Sequence, residues 1–500
     1  MEILDGAAVR EDFDCEADVI VVGTGAGGAV VAAKLAEAGA RVLVLEEGGY
    51  FRTRDFSGRA LEMINRLYRD KGVTTTLGNT MIALPMGCCV GGTTTVNSGS
   101  CYPAPDYVLE AWSREEGLEA CRPEALGPWF EEIRRRISVT PVPEELLGPN
   151  AGLFREGVRK LGWKADPIPR NVKACRGTGV CAFGCPTAAK QSMNVSYVPA
   201  ALAAGARLMT RARVKRIVLE RRRVRGVEAE WLDEAGRPRG LRLRASAPKV
   251  VVACGAIYTP ALLSGSGVRH PMLGRNLRIH PAARIGALFE KRVRGWIGVP
   301  QSYHISQFER EGIFIQGQFV PPGVEAPVLP GIGPSYRRLM EQYPFLGSFG
   351  ALISERGVGR VFSGPRGKPI VYYNLSKVDR RLMLRSISLT AEAWFAAGAK
   401  EVFTSLRHRP ILRNLEEARA LPERDIKAKY FELMAFHPMG TVRMSADPRR
   451  GVTDGSGRVF DYEGLYVADA SLLPTSTRRN PMMTIMALAT LVAHGLAARG

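Results

Sequence analysis

The chain has no unbroken apolar stretch of the ~20 residues that a membrane-spanning helix requires. Its most apolar segments, around Ile20 to Ala38 and Thr484 to Leu496, are interrupted by glycines or by His494, so no transmembrane helix is expected. A secretory signal is also lacking. The opening residues MEILDGAAVREDFDCEADV carry scattered acids and no apolar run behind a basic start, which predicts a cytoplasmic protein. No internal repeat or low-complexity linker occurs. There is no long basic run either. The formal net charge is +20, but it is spread from RRRIS through LERRRVRG to STRRNP with no nucleic-acid motif beside it; this favours a solvated Arg-rich surface over nucleic-acid binding. Nine cysteines without a secretion signal exclude a disulfide scaffold and leave reduced thiols, a metal site or buried cysteines.

What is present is substantial. Five hundred residues, 46% of them apolar, are enough for a large core and predict two domains. ADVIVVGTGAGGAVVAAKLAEAGARVLVLEEGG holds an apolar run (Val19 to Val22), a glycine turn, an Ala-rich amphipathic helix and a second apolar run (Val42 to Leu45) ending in Glu46. This is a βαβ unit with the dinucleotide fingerprint. Gly23 allows the tight strand exit, Gly25 lets the backbone approach a pyrophosphate, and Gly28 lets helix and strand pack closely, with Ala26 and Gly27 inside the same turn. Glu46 follows at the spacing of a carboxylate that binds ribose hydroxyls. Glu47 is the poorer ribose ligand, because Glu46 is the acid at the strand tip.

With only six histidines, each can be weighed. In AFHPMGTVRM, Pro438 biases His437 toward an extended conformation at a strand end or loop. Near the carboxy terminus, STRRNPMMTIMALATLVAHGLAARG reads as a helix start, with Asn480 at the N-cap and Pro481 at the first helical position.

Four further stretches carry a resemblance. GCCVGGTTTVNSGSCYPAP (87–105), VVACGAIYTPALLSGSGV (251–268), LGRNLRIHP (273–281) and the tail from Phe436 to Leu496 resemble the successive signatures of the glucose–methanol–choline flavoprotein oxidoreductases. The resemblance spans nearly the whole chain. It implies FAD, and an α/β fold in which a Rossmann-like FAD-binding domain is joined to an α+β substrate domain whose antiparallel sheet lies over the flavin. We expect residues 1–105, 195–290 and 434–500 in the first and 106–194 and 291–433 in the second. The blocks IFIQGQFVPPGV and FGALISERGVGRVFSGPRGKPIVYYNLS alternate apolar and polar residues as such a sheet requires.

Carried over by residue, Gly91, Gly92, Thr93 and Asn97 are similar to the loop over the flavin, and Val214 to the residue whose backbone reads the adenine. Asp469 and Ala470 are similar to the segment near the pyrophosphate, and Pro481 and Met482 to a helix start facing the anionic edge of a reduced flavin. No His stands in the GGTTT loop, so FAD is expected without a covalent link. His437 and Asn480 match the family's catalytic pair. Alcohol oxidation removes a hydroxyl proton and a hydride from adjacent atoms; the imidazole takes the proton, flavin N5 the hydride, and the Asn amide holds the oxygen. His280, in RIHP, matches a structural position, His494 lies in the helical run, and His270, His304 and His408 stand in no signature.

The segments TGVCAFGCPTAAKQSMNVSYVPAALAAGA and GRVFSGPRGKPIVYYNLSKVD look closest to the branch with long-chain alcohol oxidases, sterol oxidases and bacterial alcohol dehydrogenases. The expected reaction is oxidation of an apolar or amphipathic alcohol, with O2 or a quinone or cytochrome as electron acceptor; a peripheral membrane contact is left open. Alternatives are a flavin-fold lyase, a non-catalytic flavin-binding scaffold, or an iron–sulfur flavin dehydrogenase that acts on a sugar or alcohol and passes electrons to a cytochrome. The last rests on CRGTGVCAFGCP, where Cys175, Cys181 and Cys185 stand at C-x5-C-x3-C spacing. With only three local ligands, the reading taken is FAD as the only redox centre and no metal site.

Overall fold

The structure is a computed structural model that describes residues 2–319, 324 and 329–498. Short apolar runs make its first sheet: VIVV at Val19–Val22 and VLVL at Val42–Leu45, buried throughout, and KVVV at Lys249–Val252, buried from Val250 onward. Runs buried on both faces suit an all-parallel sheet covered by helices. Six strands pair in the order Glu2–Asp5, Arg207–Thr210, Val42–Leu45, Val19–Val22, Lys249–Val252 and Leu465–Val467, every pair parallel. The helix Gly28–Glu37 packs against the helices Tyr197–Ala203 and Met482–Ala497. A four-stranded sheet, Ala212–Glu220, Arg223–Leu232, Pro238–Ser246 and Phe13–Glu16, adjoins this unit.

The second large sheet is built around Ala282–Leu288, which pairs antiparallel with Leu346–Ile353 and with Glu401–Phe403. Ile313–Gly317, Tyr303–Ile305 and Ala165–Pro167 continue it on one side, and the short strand Leu433–Met434 pairs with Ala282–Leu288 and with Ile82–Ala83. Of the block IFIQGQFVPPGV, residues 313–317 form a strand, and residues 320–323 lie outside the described residues. Gly359–Ser376 contributes instead a separate hairpin, Arg360–Ser363 with Pro369–Tyr372.

Each sheet has its own apolar core, one around Val30, Trp112 and Met486, the other around Phe349, Ile387 and Trp394. Residues 106–137 pack with the first core and Ala282–Leu288 runs through the second. No helix among the described residues is long and apolar enough to cross a membrane.

Candidate active site

Gly23, Glu46, Ala253 and Ala468 each directly follow a strand of the parallel sheet, and they converge at its carboxyl edge, where open α/β sheets bind ligands. A cavity of about 1670 Å³ starts there and runs to the antiparallel sheet at Gln316 and Leu352. That volume exceeds the ~300–1,000 Å³ of drug-sized pockets and suits a dinucleotide with a substrate beside it.

The fingerprint glycines serve distinct needs. Gly23 has φ +102, and a side chain there would meet the Ala253 carbonyl. A Cβ on Gly28 would lie 2.0 Å from the Gly23 carbonyl oxygen, so only glycine lets the helix sit this close to the strand. A Cβ on Gly25 meets nothing within 4 Å, because that position opens into the cavity. The turn thus leaves an open backbone cradle of the kind a pyrophosphate can approach.

Glu46 accepts from Thr24 N–H at 2.9 Å, Thr24 O–H at 2.6 Å and Gly48 N–H at 2.9 Å. Burial still pushes its carboxyl above the ordinary value. Glu47 is tied to Arg69, whose guanidinium lies over the Tyr258 ring. Burial raises Glu47, but Arg69, with Arg213 and Lys215, outweighs it and holds the carboxyl low. Thr24, not singled out in the sequence, also accepts from Gly91 N–H at 2.9 Å and so stitches residues 91–97 to the fingerprint. Lys190 supports that loop from beneath, its ammonium donating to the carbonyls of Thr95 and Asn97.

Ala26, Gly27, Gly92, Thr93, Asn97, Val214, Asp469, Ala470, Pro481 and Met482 all line the cavity together with Gly23, Gly25 and Glu46. Gly28 and Gly91 stand behind its wall in the contacts just described. Asp469 is fully engaged within the protein: it accepts from Gly255 N–H at 2.8 Å and Ser471 N–H at 2.7 Å, and caps the turn Ala470–Leu472.

His437 follows the strand Leu433–Met434, while Asn480 precedes the carboxy-terminal helix. The two meet at the cavity wall, with Asn480 Nδ2 3.2 Å from His437 Nε2. The reading of Asn480 as an N-cap is corrected here. The helix begins at Met482 with Pro481 in the cap position and no side-chain cap bond. The Asn480 amide is turned toward His437 instead, and its buried Oδ1 has no hydrogen-bond partner among the described residues.

His280, assigned only a structural position above, stands behind His437. Its Nδ1 lies 3.3 Å from His437 Nδ1, and its Nε2 lies 2.6 Å from Ser476 Oγ. An amide nitrogen only donates, so His437 Nε2 is the acceptor and carries no proton. The His437 proton then sits on Nδ1 and points at His280 Nδ1, and the His280 proton sits on Nε2 and points at Ser476. His280 has φ +51, a strained backbone for a non-glycine residue, and Glu355 holds it there by accepting from the N–H groups of Ile279 and His280. Burial raises the Glu355 carboxyl to about 7 and lowers His437 to about 4. His280 is also well below its ordinary value, through burial and then the neighbouring His437. No motif flagged Ser476 or Glu355, since both act through contacts distant in sequence.

Comparison with known proteins agrees with this geometry. Residues 64–282 and 358–489 match the amino- and carboxy-terminal family profiles described as GMC oxidoreductase, and residues 18–66 match one described as an FAD binding domain. The chain is 41% identical to an uncharacterized GMC-type oxidoreductase of Mycobacterium tuberculosis over 97% of its own length and 76% of the relative's. It is 29% identical to a long-chain-alcohol oxidase of Arabidopsis thaliana, over 96% and 68%. The crystal structure of pyridoxine 4-oxidase from Mesorbium loti superposes with a TM-score of 0.73 at 18% identity, over 96% of this chain and 98% of that one.

Proposed function

The chain belongs to the GMC oxidoreductase family and carries its FAD-binding domain; from this premise we propose that it oxidises the CH–OH group of an apolar or amphipathic alcohol to an aldehyde or ketone. The observation that carries the reading is the 3.2 Å meeting of Asn480 Nδ2 and His437 Nε2 at the cavity wall. FAD, when bound, supplies the two-electron oxidant. The residues expected to hold it are Gly25 and its turn, Glu46, the loop 91–97 and the start of the carboxy-terminal helix.

The remaining work falls to side chains. Burial keeps His437 neutral at physiological pH, and its Nδ1–H is committed to His280, so its Nε2 offers a lone pair to the cavity. An alcohol hydroxyl entering between His437 and Asn480 donates to that lone pair and accepts from the Asn480 amide. As the C–H bond breaks, His437 takes the hydroxyl proton and Asn480 steadies the oxygen. His280 is a positioning residue that fixes which ring nitrogen of His437 is basic. Support for an apolar or amphipathic alcohol is the long-chain-alcohol oxidase relative and the apolar side chains Leu352, Phe319 and Phe436 along the cavity. The electron acceptor in this reading is O2 or a quinone or cytochrome.

The test is an anaerobic titration of the holoenzyme with alcohols of increasing chain length. Bleaching of the flavin by an alcohol, with the carbonyl product formed in equal amount, supports the reading. Conversion of a hydroxylated substrate with the flavin left oxidised would show a lyase instead.

A further inference from the structure

The cysteine segment 175–185 is not used by the reaction above. Among the described residues no three His, Cys, Asp or Glu side chains are grouped to hold a metal ion. Cys175, Cys181 and Cys185 nevertheless line one small pocket of about 10 Å³, together with Arg170 and Lys190. Both cations are essentially fully buried, at 1% and 2% exposure. Among the described residues neither makes an ion pair with a carboxylate. Arg170 donates to the Ser98 carbonyl at 2.8 Å and to Cys181 Sγ at 3.2 Å. Lys190 Nζ donates to the backbone carbonyls of Thr95, Asn97 and Cys181.

A buried cation without an acid is costly, and burial lowers the Lys190 ammonium to about 8; a nearby anion favours its charged form. The group here that can become one is a thiol. Cys185 Sγ accepts from Lys190 N–H at 3.4 Å and lies 3.5 Å from the Thr187 hydroxyl. Burial opposes ionisation, but Thr187 and Lys190 outweigh it, so the thiol sits below its ordinary value. The other thiols with a resolved shift, Cys88, Cys89, Cys101, Cys121 and Cys254, are all pushed the opposite way by burial. Cys185 is also only half-buried, and Thr187 beside it is exposed, so a small solute can reach the sulfur.

We propose that Cys185 is a modification site: a thiolate poised in the Arg170–Lys190 pocket that reacts with hydrogen peroxide to a sulfenic acid. The sulfur attacks one peroxide oxygen, an S–O bond forms, the O–O bond breaks and hydroxide leaves. Sulfur is oxidised by two electrons, one peroxide oxygen stays on it as the S–OH group, and the other leaves as hydroxide, which combines with the proton released when the thiol ionised to give water. The oxidant is added peroxide, so the reactivity does not depend on the proposed alcohol oxidation. The pocket shares Gly179 with the wall of the large cavity.

The experiment treats the reduced holoenzyme with equimolar hydrogen peroxide and dimedone and maps the adducts by mass spectrometry. The expected result is an adduct on Cys185 ahead of every other cysteine, reversed in order only by unfolding the protein first. Thr187→Ala, a change at an exposed side chain, should slow Cys185 alkylation by iodoacetamide several-fold at pH 7 and move its pH midpoint upward. Labelling of another cysteine first, or an alkylation midpoint at Cys185 that is the same with and without the Thr187 hydroxyl, overturns the proposal.

Discussion

His280 and His437 face each other Nδ1 to Nδ1 at 3.3 Å, although 157 positions separate them in the chain. One comes from the turn before the strand Ala282–Leu288 and the other from the end of the strand Leu433–Met434, and those two strands are paired. Because the contact sets the tautomer of His437, removing the acceptor should harm the chemistry more than binding. His280→Ala should slow flavin reduction by between about 10- and 100-fold with the apparent affinity for alcohol little changed. His280→Asn, whose amide oxygen can accept the same proton, should recover part of the rate. Equal rates for all three proteins in stopped-flow reduction would remove His280 from the mechanism.

His437→Ala should retain bound flavin and slow its reduction by at least the ~100-fold typical of a lost general base. Asn480→Ala should slow it less. Since Asn480 is not the helix cap, that variant should also melt close to the parent rather than lose the ~1 kcal/mol of a deleted N-cap. Single-turnover kinetics and thermal melts check the two statements separately.

The pH dependence follows from burial. His437 is held at about 4, and its neutral form is the base in the proposed reaction, so the reduction rate should be flat through neutral pH and fall only as pH drops toward that value. A midpoint near the ordinary histidine value of 6.5 would contradict the buried, neutral imidazole. Stability should move in the same sense. Both His437 and His304 are lowered to about 4 by burial, so between 6.5 and 4 the unfolded chain binds more protons than the folded one. Their contribution is fully present above the unfolded value, declines as pH falls through that window and levels off below it. Urea midpoints at several pH values measure this.

The fingerprint glycines should separate binding from folding. Gly25→Val places its side chain in open cavity, so the protein should fold yet purify colourless. Gly28→Val drives a methyl group into the Gly23 carbonyl and should cost enough stability to prevent folding. Absorbance at the flavin band and circular dichroism read the two effects; a yellow, active Gly25→Val protein would refute the cradle.

Much of the site was legible because its parts are local. The turn from Gly23 to Gly28 is dictated by close approach within a single βαβ unit, and four-residue apolar runs that are buried on both faces announce parallel strands directly. Asn480 shows where local reading stops. An Asn before a Pro at the head of an apolar helix has the signature of a cap, and only the approach of His437 shows the amide engaged elsewhere. Pairing of Ala282–Leu288 into the antiparallel sheet was equally hidden, because the register that fixes it lies in Leu346–Ile353 and Glu401–Phe403, far along the chain.

By itself the sequence determined the βαβ dinucleotide turn, since short-range sterics and periodic burial are written in neighbouring residues; FAD, and His437 with Asn480 as the pair to examine, came from the resemblance of its motifs to a known family. The tertiary structure alone decided which ring nitrogen of His437 faces the cavity, that His280, Ser476 and Glu355 stand behind it, and that Cys185 shares a small pocket with two buried cations. Those relations depend on hydrogen bonds and desolvation between segments that meet only when the two sheets are packed together, and no local pattern encodes them.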